Sequence, residues 1–185
     1  PVKKRLDDFD SRHRAYAAAA ARVHRAEERL GKQQALVGEC DVEQDRATLN
    51  VASALAGDGL PRANPFKPLG FAAPSVMVKL GYAKEAQQVV RLSCAVQRRK
   101  GASPAARSAA RAAEQAARKV QRALNPIAQL ERGYRAALTQ RDALAQAWET
   151  SFAALKRGTR AAEDDGARGL FASLLLGLGD VPDAA

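Results

Sequence analysis

The chain has 185 residues, 46% of them apolar but only 5% aromatic, and 30 basic against 20 acidic side chains give a formal net charge of +10. That length fits one domain or one elongated module with a real core. No apolar run approaches the roughly 20 residues a membrane span needs, and no signal-peptide pattern is present. Alanine is the commonest residue and Arg outnumbers Lys, a composition of strong helix formers.

The charge is uneven. Residues 1–60 carry 10 basic and 10 acidic groups, and residues 61–100 carry 8 against 1. Residues 101–150 carry 8 against 4, and the remainder 4 against 5. Nearly all the excess therefore lies between Arg62 and Arg141. Such an asymmetry speaks to polyanionic partners or acidic surfaces, not to fold.

Along the chain, steps of three and four link Val2, Leu6, Phe9, His13, Tyr16, Ala20, Val23, Glu27, Leu30, Gln34, Val37, Asp41, Gln44, Thr48, Val51 and Leu55. The spacing predicts one very long helix from Val2 to about Ala56, with a poor seam in its middle, where Gly31 and Gly38 leave open whether it runs on or breaks. "GDG" at Gly57–Gly59 is a stop. "LPRANPFKPLGFAAPS", Leu60 to Ser75, holds too many prolines for a helix and reads as a connection pinned by Phe66, Leu69 and Phe71.

A second helix is expected from about Val76 to Arg99, with Val78, Tyr82, Ala86, Val89, Leu92 and Val96 inside. Ser103-Pro104 opens a third, with Ser as N-cap and Pro at the first helical position. Asn125-Pro126 repeats that signal, as a new start or as a kink. From Ile127 through Leu130, Tyr134, Leu138, Arg141, Leu144, Trp148 and Phe152 to Leu155 runs the most regular stripe. It is expected to close on Lys156, Arg157 and Gly158. An acidic, flexible linker and an apolar terminal helix, "LFASLLLGLG", then follow.

The expected architecture is all-α: an elongated antiparallel bundle or coiled-coil hairpin of four or five helices. Residues 1–158 form the bundle, with the Pro-rich connection at 60–75, and residues 159–185 form the linker and terminal helix.

Chemistry is sparse. Cys40 and Cys94 make no metal spacing, so buried free thiols are expected, with a disulfide as the alternative. His13 and His24 sit three turns apart. "ECDVEQD", Glu39 to Asp45, lacks the glycine and closing glutamate of a calcium loop, and is expected as a solvated patch or as partner to arginines. No Glu-x-x-His pair, phosphate-cradling loop or nucleophile–base set occurs, so neither metal, cofactor nor catalysis is expected.

The function expected is a non-enzymatic scaffold or protein-interaction module, self-associating or engaging a protein partner. On a 100° wheel, Arg107, Arg111, Arg118 and Arg122 share one stripe. With Arg98, Arg99, Lys100 and Lys119 they are the candidate site of the alternative, binding to a nucleic acid or an anionic membrane surface. Leu170, Phe171, Leu174, Leu175, Leu176 and Leu178 form a candidate docking segment, or fold back as a cap. A cytoplasmic location is expected, Pro1 in place of Met leaving room for a removed leader.

Overall fold

A computed structural model of the chain describes residues 2–176, so Leu178 lies outside the described residues. The fold is all-α, 83% helical, with helices packed as a bundle and no strand among the described residues. Among the described residues six α-helices follow in order: α1 (Val2–Gly57), α2 (Pro74–Met77), α3 (Tyr82–Arg98), α4 (Pro104–Leu124), α5 (Ile127–Asp164) and α6 (Leu170–Leu176). None of them is long and apolar enough to cross a membrane. The chain divides into two compact units, residues 1–27 with 132–185 and residues 28–131.

α1 is unbroken through Gly31 and Gly38. Neither glycine meets an obstacle, and helical hydrogen bonding on both sides outweighs their propensity cost of about 1 kcal/mol each. The stop at "GDG" is as expected. Gly59 adopts φ 86°, and the Leu60 N–H reaches back to the Leu55 carbonyl at 3.1 Å. Leu55 and Leu60 are both buried, which completes the hydrophobic contact of such a C-cap.

In the first unit, α1 and α5 pair antiparallel. Arg5 Nη1 donates to the Ala154 carbonyl at 3.1 Å, Trp148 Nε1 donates to His13 Nδ1 at 3.1 Å, and Arg22 Nη1 donates to Gln140 Oε1 at 3.1 Å. Between them lies an aromatic core. Phe9 is buried; Trp148 stacks on Tyr16 and Phe152 with centroids 5.5 Å and 5.6 Å apart. α5 does not close at Gly158 but continues to Asp164, so residues 159–164 are helical rather than a flexible linker. Gly158 is buried because the Arg5 side chain crosses it, and a Cβ there would lie 2.7 Å from Arg5 Cδ and Nη1. That glycine permits a close approach; it is not a terminus.

The second unit is a three-helix arrangement of α1 from residue 28, α3 and α4, with the Pro-rich connection folded onto it. α3 and α4 form an antiparallel hairpin across residues 99–103. Ser103 caps α4 as expected, its Oγ accepting the Ala106 N–H at 3.1 Å. The inner face of α4 is alanine with one valine: Ala106, Ala110, Ala113, Ala117 and Val120 are buried, while Ala109 and Leu124 pack only partly. Phe66 is fully buried, and Leu69 and Phe71 lie against the core, so the connection is pinned as its sequence suggests.

The expected helix from Val76 to Arg99 is instead split. α2 ends at Met77, and Gly81, with φ −64° and ψ 145°, begins α3 by accepting the Lys84 and Glu85 N–H groups. Val78 therefore lies outside the helix and Tyr82 is exposed, not inward. At Asn125-Pro126 the chain starts a new helix. Both cysteines are free, but Cys94 is exposed and Cys40 only half-buried, in place of two buried thiols.

Trp148→Ala is expected to lower the stability of the first unit by about 3–5 kcal/mol. Trp148→Phe keeps the stack and loses only the bond to His13, at about 1 kcal/mol. Denaturant unfolding followed by circular dichroism separates the two. Indistinguishable midpoints for the two variants would mean the ring stack contributes nothing, and a Trp148→Phe midpoint equal to that of the unaltered chain would mean the same of the indole N–H.

Candidate functional site

The inward face of α1 in the second unit changes character partway along. Val37, Val51 and Leu55 are apolar and buried, but between them the same face carries Asp41, Gln44, Asp45 and Thr48. Helical spacing puts Asp41 and Asp45 one turn apart, and Gln44 and Thr48 likewise. Facing them from α3 is Glu85, which shares the stripe of Val89, Leu92 and Val96. Oxygens of Asp41, Asp45 and Glu85 all lie within 4.8 Å of one another.

Burial here is nearly complete at the centre: Gln44 and Thr48 are 0% exposed and Glu85 1%. Gln44 Nε2 and Oε1, Thr48 Oγ1, Glu85 Oε1 and one oxygen each of Asp41 and Asp45 find no hydrogen-bond partner in the protein. Burial, then the adjacent Asp45 carboxylate and the more distant Asp41, push the Glu85 carboxyl up to about 8, while the Gln44 side chain opposes the rise. Burial and Asp45 also raise Asp41. No ion pair among the described residues engages any of the three acids, so unpaired buried polarity is concentrated in one place, where it is costly.

The acidic run therefore does not act as one patch. Glu43 is exposed and takes Lys119 Nζ at 2.7 Å, as an intramolecular partner should. Asp41 and Asp45 instead each turn one oxygen inward. Glu85 was the residue sequence reasoning passed over. Its signal was present: an acid four residues before Val89, in the middle of an otherwise apolar stripe.

The basic residues divide. Arg98, Lys100, Arg107, Arg111 and Arg122 are exposed, and no ion pair among the described residues engages them. Arg118 is held by Glu114 at 2.7 Å and Lys119 by Glu43. Arg99 is half-buried, its guanidinium 3.7 Å from Asp58. Asp58 also accepts the Ser103 N–H at 3.0 Å. The Ser103 backbone and hydroxyl, with help from Arg99, hold its carboxyl below the usual carboxylate range. Arg99 thus belongs to the corner that docks α4, while the other seven lie on the outside.

The apolar tail is partly placed. Leu170, Phe171 and Leu174 are half-buried. The Phe171 N–H donates to Glu163 Oε1 at 2.9 Å, and the Arg160 guanidinium lies 4.9 Å from the Phe171 ring centre. Leu175 and Leu176 belong to α6. His13 is spent on Trp148, and His24 is exposed. No family model, no curated protein and no solved structure matches this chain.

Because the folded protein holds a proton on Glu85 that the unfolded chain releases near 4.5, folding is favoured by protons at this site. Its contribution is fully present below about pH 4.5 and is lost as pH rises to about 8. Each unit of that window is worth about 1.4 kcal/mol at most. Denaturant unfolding in metal-free buffer should show stability falling between about pH 5 and 8, with Glu85→Gln flattening the fall and unfolding later at the upper end. An unchanged pH profile in Glu85→Gln contradicts this.

Proposed function

We propose that this chain is a non-enzymatic helical interaction module that self-associates through the outer face of α1 in its second unit. What carries it is the exposure of Val42 (61%) and Leu49 (50%), which share one outer face of a helix whose opposite side is packed. Side chains of this size standing out of a folded surface at repeated spacing favour a protein contact over solvent. Ala35, Val42 and Leu49 follow one another at the heptad interval that helix pairing uses.

The occupant that fits is a second copy. Glu39 and Arg46, both exposed, lie equally far from the Val42–Glu43 peptide bond and close together on the outer side of the helix. An antiparallel copy related by a two-fold axis at that bond sets Glu39 against Arg46 of its partner, twice over. Isologous dimers have this self-complementarity. Burying Val42 and Leu49 of each copy yields about 1 kcal/mol per side chain. Against the association cost of at least about 4 kcal/mol, the dimer is expected to be weak and concentration-dependent.

A second reading has its own observation. Arg107, Arg111 and Arg122 share the outer stripe of α4 without acidic partners, and Arg98 and Lys100 continue the charge near its start. A polyanion binding there would release counterions. The tail is less favoured as a docking segment, since Glu163 and Arg160 already engage Phe171.

Sedimentation velocity over a concentration series tests the dimer. Val42→Glu and Leu49→Glu are expected to leave only monomer at unchanged melting temperature. Glu39→Arg should weaken association, and adding Arg46→Glu should restore it. A chain that stays monomeric throughout, or a pair of charge reversals without rescue, overturns this arrangement. For the α4 stripe, binding to mixed nucleic acid or anionic vesicles should fall steeply with salt. Each of Arg107→Ala, Arg111→Ala and Arg122→Ala should reduce the log–log slope by about 1, whereas salt-independent binding rejects it.

A further inference from the structure

The carboxylate cluster of the second unit is a different matter from its outer faces. Three acids, half-buried or buried, converge within 4.8 Å from two helices. Acidic residues gathered on a surface would signify little. Here a second and independent feature points inward. Gln44, 0% exposed, makes no well-formed hydrogen bond with either side-chain polar atom, although its amide comes close enough to the Glu85 carboxyl to oppose the rise of its pKa. Thr48, one turn along and equally buried, holds an unpartnered hydroxyl. A bundle core has no use for so many unsatisfied oxygens unless something takes their lone pairs.

We propose that this cluster is a binding site for one hard divalent cation of the calcium, manganese and magnesium class, with Asp41, Asp45 and Glu85 as carboxylate ligands and the Gln44 amide oxygen as a fourth. The donor set selects the class. Every ligand is an oxygen, and neither a cysteine nor a histidine joins the group, Cys40 included although it precedes Asp41 in sequence. Hard cations take carboxylate, carbonyl and water oxygens, whereas zinc and copper favour thiolate and imidazole. Gln44 presents oxygen or nitrogen by a half-turn of its terminal amide, which the hydrogen-bond environment decides.

Geometry favours calcium within that class. Calcium accepts about six to eight oxygens in a flexible arrangement, whereas magnesium demands a near-ideal octahedron. Three carboxylates gathered within 4.8 Å from two helices suit the more permissive ion. Asp41 and Asp45 are only half-buried, which leaves a side from which the ion enters and on which water completes the coordination. Binding of the ion displaces the proton held on Glu85, and a divalent charge then offsets most of the three carboxylates, where a monovalent ion would leave two charges. The consequence is mechanical: the ion ties α1 to α3 and so stabilises the bundle by linkage.

Isothermal titration of the full chain with calcium, manganese and magnesium chloride, after chelator treatment, tests this, with thermal melting in parallel. One saturable site per chain is expected, with calcium tighter than magnesium and a raised melting temperature in its presence. Asp45→Asn and Glu85→Gln should each weaken binding at least tenfold, and Glu39→Gln, on the outer face of the same helix, should leave it intact. Glu85→Gln removes a buried acid and keeps the fold, so lost binding there is not lost structure. Absence of a one-to-one isotherm with all three cations, or binding unaffected by the Asp45 and Glu85 substitutions, overturns the proposal.

Discussion

One helical register on α1 sets the inner surface of both units. Its stripe of threes and fours passes through Phe9 and Val23 in the first unit and through Val37, Gln44, Thr48, Val51 and Leu55 in the second, and all seven are buried. Everything packed against α1 must satisfy that fixed sequence of side chains. In the first unit the register offers rings, and α5 answers with Trp148 and Phe152. In the second it offers a polar stretch between apolar ends. α3 answers with Glu85 amid valines and leucine, and α4 with alanines.

The two cores therefore differ in kind. Aromatic stacking tolerates partial exposure, because a large ring buries area and keeps its polar edge bonded, as Trp148 does to His13. Buried carboxylates tolerate nothing of the sort. Asp41, Asp45 and Glu85 lack the arginine or lysine that would ordinarily compensate them, although the chain has ten more cations than acids. The cations are instead displayed outside or tied to Glu43, Asp58 and Glu114. A chain rich in arginine that leaves its most buried acids unpaired concentrates strain at one position, and that concentration separates the cluster from ordinary bundle polarity.

The fold was legible because alanine, leucine and valine at helical period, with Ser103-Pro104 and Gly57–Gly59 as punctuation, leave few alternatives. Glycines were the least legible positions. Gly31 and Gly38, where the pattern left a break open, lie in the middle of a helix that neighbouring turns hold together. Gly158 marks an Arg5 crossing, visible only once α1 and α5 are paired. Gly81 starts a helix where its neighbours alone suggested continuation. The site was less legible than the fold. Asp41 and Asp45 were visible as an acidic run, but their side of the helix mattered more than their number. Glu85 joins them through a pairing of α1 with α3 that no local spacing encodes.

The outer charges follow a similar division of labour. On α4, an inner face of alanine forces every long polar side chain to the opposite side, so Arg107, Arg111, Arg118 and Arg122 share a stripe as a geometric consequence of the packing. Repulsion among neighbours three and four residues apart costs a few tenths of a kcal/mol each, and Glu114 relieves it only at Arg118. The stripe is thus explained by packing before any ligand is invoked. The exposed apolar residues of α1 have no such explanation, since nothing inside the unit requires Val42 or Leu49 to be apolar. The proposed self-association would account for them, which is why that reading stands ahead of the polyanion one.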